Sequence, residues 1–233
     1  MTAILLFISA LASAALWWLW RQGLATKPWL ATGIGAEEAP MPMSAAKLGL
    51  GVFMAVAASL LVLLISAYSM RMELADWNAP PQPALLWVNT AVLVLASLAL
   101  HRAVLAGRRA DRPAIAAGLR LGGAATLGFL LGQCLAWREL AAAGYRLSSN
   151  PADAFFYLIT AVHGLHVIGG LLAIARTAAK QRRGVPMDRL GLSLELCATY
   201  SHFLLVAWLV LFSVLAFSPQ LGWFIAICTA PFR

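Results

Sequence analysis

FFYLITAVHGLHVIGG, residues 155–170, sets two histidines, His163 and His166, three positions apart in a run otherwise soluble in lipid. A bilayer core takes about 20 apolar residues of helix, and the run 153–175 has that length. It reads as a membrane span. A polar imidazole is expensive at such depth, so the pair needs a reason.

Five further apolar runs flank it, at 1–20, 48–70, 84–105, 114–137 and 192–217. The predicted fold class is therefore an all-α integral membrane protein, a six-transmembrane helix bundle. Three segments follow: 1–45 as an N-terminal helix and loop, 46–217 as a five-helix core, and 218–233 (from Pro219, LGWFIAICTAPFR) as an interfacial tail. The first run contains Ala12–Ser13–Ala14, which resembles a cleavage site, but it lacks the charged start of a signal peptide. It is expected to stay as a helix, ending at Trp17, Trp18 and Trp20 before Arg21.

Composition agrees with lipid as the solvent. Of 233 residues 62% are hydrophobic and 11% charged, whereas soluble chains run near one-quarter charged. The net charge of +8 does not point to nucleic acid, because the basic residues sit in short gaps between apolar runs. Thirteen Lys and Arg fall on one side: Arg21, Lys27 and Lys47, then Arg102, Arg108, Arg109, Arg112 and Arg120, then Arg176, Lys180, Arg182, Arg183 and Arg189. Four fall on the other: Arg71, Arg138, Arg146 and Arg233. Positive residues mark the cytoplasmic face, which puts both termini on the outer side. Cleaving the first helix would leave the new terminus on the wrong face.

Cys134, Cys197 and Cys228 lack a CxxC spacing and read as small buried hydrophobes rather than a disulfide framework or metal site. Gly118/Gly122, Gly128/Gly132 and Gly169/Ala173 form small-xxx-small pairs that let helices approach closely. Asn89 and Gln133 suit hydrogen bonds between helices, and Trp77, Trp87 and Trp137 an outer aromatic belt. Glu73, Asp76 and Glu139 are near-surface acids. No internal copy supports an inverted-repeat transporter.

Residues three apart share a helix face, so His163 and His166 are expected together near the bilayer centre. Glu195, Thr199 and His202 stand at i, i+4 and i+7, one polar stripe on the last helix. If the last two helices are antiparallel neighbours, His166 and His202 fall at similar depth. Three roles remain open: haem ligation from two helices, a proton relay or carboxylate-lined cleft, and interhelical packing aided by Gly164, Gly169 and Gly170. Haem ligation fits poorly, since histidines three apart point the same way and His101 sits at a helix end.

FFYLITAVHGLHVIGG followed by ELCATYSHFLLVAWLVLFSVL resembles the last two helices of subunit III of haem–copper cytochrome oxidases. KLGLGVFMAVAASLLVLLISAYSMRM, ALLWVNTAVLVLAS and LGFLLGQCLAWREL resemble its preceding helices in order, so the resemblance covers about 46–217. The matching positions are His163, Gly164, His166, Glu195, Tyr200, His202 and Trp208. The resemblance implies a subunit that binds no haem or copper itself. It would pack beside a cofactor-bearing subunit I, with a subunit II in the same oxidase, frame a phospholipid-filled cleft, and support proton uptake and durability.

Two departures stand out: Val56–Ala57 replaces a family Ser-Glu pair, and Leu205 replaces an acid in the last helix. The fuller family pattern also has seven helices, with two where this chain has one. The expected setting is a bacterial inner membrane, possible membership of a respiratory supercomplex included. The rival readings are an accessory subunit of a quinol oxidase or nitric oxide reductase, and a stand-alone di-haem cytochrome.

Overall fold

The computed structural model describes Ser13, residues 44–72 and residues 74–217. Apart from Ser13, the expected first helix lies outside the described residues, as does the tail after Phe217. Five helices follow in order: α1 (Ala45–Arg71), α2 (Leu85–Arg108), α3 (Arg112–Ala142), α4 (Pro151–Arg182) and α5 (Met187–Ala216). Each is long and apolar enough to cross a membrane.

The helices overrun the apolar runs that announced them. α3 has 31 residues and α4 has 32, about 47 Å at 1.5 Å per residue, against a hydrocarbon core of about 30 Å. Hydropathy marks only the part in lipid, whereas caps mark the ends. Asp111 accepts from the Ala114 amide at 3.0 Å and starts α3, with Pro113 in the first turn. Asn150 accepts from Ala152 at 2.8 Å and starts α4, just before Pro151. Both satisfy amides that have no partner within the helix.

Positive-φ residues close three helices. Gly144 (φ 96°) follows α3 and Gly184 (φ 70°) follows α4. After α2 the same position holds Ala110 at φ 56°, and the Asp111 amide reaches back to the Ala106 carbonyl at 3.1 Å. The left-handed region costs an L-residue about 1–2 kcal/mol, partly offset by the extra freedom glycine has when unfolded. Ala110→Gly is therefore expected to stabilise the fold by up to about 1 kcal/mol, read as a raised temperature of unfolding in detergent. A lowered temperature would remove the strain argument.

Helices α2, α3, α4 and α5 form a closed ring in which each packs on two neighbours, α2 meeting α5. α1 lies outside the ring against α5 and α4 and makes no comparable contact with α2 or α3. Its buried positions, Ala57, Leu61 and Tyr68, trace one narrow stripe. Within the ring, Phe129, Phe156, Leu86, Leu93 and Trp208 fill the centre. Water exclusion cannot drive this packing where lipid is as apolar as leucine, so close backbone approach and interhelical hydrogen bonds carry it.

The glycines show where that approach happens. A Cβ on Gly118 would lie 2.8 Å from the Ala103 Cβ and 2.9 Å from the Ala99 carbonyl oxygen. Gly122 stands as close to Leu100, and at Gly132 such an atom would overlap the Asn89 amide. The α2–α3 seam therefore uses Gly118, Gly122 and Gly132, while Gly128 meets Val92 at an ordinary 3.6 Å. On α4 the tight position is Gly170, 3.1 Å from Leu204, rather than Gly169 or Gly164. The pair Gly169/Ala173 is offset by one residue from the seam with α5.

At the end of the bundle away from the basic loops, the Arg71 guanidinium grips Asp76 through two bonds of 2.7 and 2.5 Å. Its hydrogen bonds hold the Asp76 carboxyl below the usual value. Any stability from the pair is present above the ordinary Asp range and lost as pH falls through the lowered value. Both side chains are solvated, so the contribution is small.

Candidate functional site

Because α1 and α2 flank α5 without touching one another, an open cleft of about 490 Å³ lies between them at the basic end. α5 supplies Glu195, Thr199 and His202, α2 supplies His101 and Arg108, and α1 supplies Lys47 with Leu50 and Met54. The lining is mixed, with Leu50, Met54 and Val104 beside the polar groups.

Glu195 Oε2 sits 2.7 Å from Lys47 Nζ, and both side chains remain about two-fifths exposed or more. One turn and then a second lead along α5 to Thr199 and His202, about 10 Å of helix in all. The Ser97 hydroxyl pairs with His202 Nδ1, and the His202 ring stands 5.6 Å from that of His101. The cleft thus sets one carboxylate against two imidazoles, a lysine and an arginine. Such groups exchange protons and attract anions; none is an activated nucleophile. Among the described residues, no group of three or more His, Cys, Asp or Glu is placed to hold a metal ion.

The other polar residues separate. His166 and Tyr200 stay together: the Tyr200 hydroxyl donates to the His166 carbonyl at 3.1 Å, and Phe53 of α1 approaches both rings. His166 Nδ1 bonds the Val162 carbonyl at 2.8 Å. His163 turns into the ring interior, fully buried, stacked on Trp208 at 5.3 Å and meeting Phe129 edge-on at 5.8 Å. The two histidines do not share a face in effect. Three residues leave an offset of about 60° around a helix, enough to put one inside the ring and the other beside α1.

Nor does His202 meet His166. Tyr200 and His202 lie about 200° apart around α5, so Tyr200 faces α4 and His202 faces α2. Equal depth on neighbouring helices was the right criterion applied to the wrong neighbour. It applies equally to His101, near the basic end of α2, whose position in the sequence marks it only as a helix-end residue. Ser97 carries no signal of its own in the sequence, and Lys47 and Arg108 signal only orientation. Elsewhere, the Asn89 amide donates to the Phe129 carbonyl at 3.3 Å, but Gln133 has no hydrogen-bond partner. Trp137 donates to the Thr160 hydroxyl at 3.0 Å, and Cys197 lies against Thr177 at 3.1 Å.

Residues 4–218 match the family model described as cytochrome c oxidase subunit III. The chain is 31% identical over 149 residues to a Mycobacterium tuberculosis protein named "Probable cytochrome c oxidase subunit 3", covering 61% of this chain and 71% of the relative. A Nocardia farcinica protein of the same name is 30% identical, covering 66% and 78%. The "Cytochrome c oxidase subunit 3" of Synechocystis is 29% identical over 170 residues, covering 70% and 72%.

Proposed function

Because the chain belongs to the cytochrome c oxidase subunit III family, we propose that it is the non-catalytic core subunit whose cleft serves the proton-entry side of the oxidase. It is a multi-pass membrane protein and associates with other oxidase subunits. The whole enzyme reduces oxygen to water and translocates protons, with haem and copper in subunits I and II. This chain contributes assembly, proton uptake and durability of subunit I. Its basic loops face the cytoplasm of a bacterial cell membrane and both termini face outward, with the run 1–20 as a sixth span. Phospholipid lies against the apolar faces of the bundle.

The observation that carries this reading is the Glu195–Lys47 pair leading to His202 and His101 in an open cleft at the basic end. A carboxylate at the mouth and two imidazoles behind it are groups that can take up and hand on a proton along the cleft. Glu195 is held by one lysine at a solvated position, so the pair breaks and re-forms readily. The chain thus adds a proton-exchanging surface beside the neighbouring subunit's entrance.

Glu195→Gln in the whole oxidase is expected to leave subunit content and haem spectrum unchanged. Initial turnover should fall by no more than about fivefold, since a surface pair contributes ~0–1 kcal/mol. The number of turnovers before inactivation should fall several-fold. His202→Phe should shorten the same lifetime. Loss of a haem band with subunits intact would overturn the reading and favour the di-haem cytochrome. That rival is further disfavoured by the enclosure of His163 between Trp208 and Phe129. Subunit III separated from its partners should be colourless in a reduced-minus-oxidised spectrum.

A further inference from the structure

The ring interior holds a polar feature that the cleft does not use. Both nitrogens of His163 and both polar atoms of the Gln133 amide are buried and have no hydrogen-bond partner. His163 is 0% and Gln133 3% exposed. Buried polar groups are almost always satisfied, and those that are not call for a reason.

The two side chains come from facing positions. Along the α3–α4 seam, Trp137 bonds Thr160, and on the other side Thr126 lines one small space with Val167 and Gly170. Gln133 lies one turn from Trp137 and two from Thr126 on the same face of α3. Between antiparallel helices this sets it opposite residues 163 and 164. The Phe129–His163 ring contact, one turn away, confirms the level. At Gly164, itself buried, an added Cβ would meet no atom of a neighbouring element within 4 Å. The open space at Gly164 thus falls at the level of the unpaired groups of His163 and Gln133.

We propose that His163, Gln133 and Gly164 form an internal binding site for one water molecule between α3 and α4, near mid-membrane. The ligand must be small, neutral and able both to donate and to accept. A water there accepts from the imidazole N–H or the amide N–H and donates to the amide oxygen, meeting the two to four partners that a buried water requires. An ion is excluded by the surroundings, because no charged side chain lines this part of the seam. Glycine is required at 164 because a side chain would occupy the site. The stacking of Trp208 on His163 restrains the plane of the imidazole. This site is independent of the proton-side role given to the cleft, which shares none of its residues.

The test uses the complete oxidase. A density map that resolves waters should show one peak within hydrogen-bond distance of His163 and Gln133. A direct His163–Gln133 bond, or a dry apolar gap, would overturn the proposal. Gly164→Ala should abolish the peak, whereas Gly164→Ser should replace it with the hydroxyl and keep more of the thermal resistance. An alanine variant at least as resistant as the serine variant would count against the site. A cycle of His163→Phe, Gln133→Leu and the double variant supplies a second readout, heat-induced release of the subunit. Each single change should lower the release temperature by several degrees, and the double no further than the worse single. Additive losses would overturn the shared water. Variants that fail to assemble leave the wild-type map as the deciding measurement.

Discussion

Gly118→Leu is expected to remove this subunit from the purified oxidase. The first atom added already falls 2.8 Å from Ala103 and 2.9 Å from a backbone oxygen of α2. Neither can move without displacing the helix. Overpacking a close interior costs about 1–3 kcal/mol and sometimes more, and here the three remaining carbons have no flexible neighbour to push aside. The α2–α3 seam has no water-driven attraction to hold it once the backbones separate. A loss of at least about 3 kcal/mol is expected, read as absence of the subunit on a gel of the purified complex. Gly128→Ala is the control, since its Cβ meets Val92 at 3.6 Å, and it should retain the subunit. Equal retention of both variants would show that the seam is not close-packed.

Trp208→Ala is the second large effect. The indole is 1% exposed and contacts Phe129, His163 and Phe212 by ring. Its N–H donates to Thr90 at 2.9 Å across to α2. Truncating such a residue costs about 3–5 kcal/mol in a soluble core. Lipid gives no transfer term, so the low end of that range applies. Trp208→Phe separates the contributions, because it keeps most ring contact and removes the hydrogen bond, worth about 0.6 kcal/mol. The alanine variant should release the subunit at a temperature lower by many degrees, the phenylalanine variant by a few. Equal losses would mean that the hydrogen bond, and not the packed ring, fastens α2 to α5.

Much of this was legible in the chain itself. Each of the five described helices covers its apolar run to within one residue, because lipid imposes a length on every span. The ends were less so: α4 runs on to Arg182 past the hydrophobic stretch, and only Gly184 at positive φ marks its stop. At the candidate site, Glu195, Thr199 and His202 share a stripe because spacing on one helix fixes their directions. Relations between helices were harder to read. Rotation of a helix about its axis is set by all of its contacts together, and 100° per residue turns a small error into a wrong partner. His202 therefore meets His101 and Ser97 instead of His166. The small-residue pairs suffered the same uncertainty, with Gly170 and not Gly169 at the seam.

The link between α2 and α3 is only Arg109–Ala110–Asp111, and it bears on biogenesis. Three residues extend to about 10 Å, far short of a hydrocarbon core of about 30 Å. Neither helix can enter the bilayer in an orientation independent of the other. The pair must be threaded as a hairpin, whose bend carries Arg108, Arg109 and Arg112 together. A translocation error would therefore invert both helices together, carrying the glycine seam intact to the wrong side.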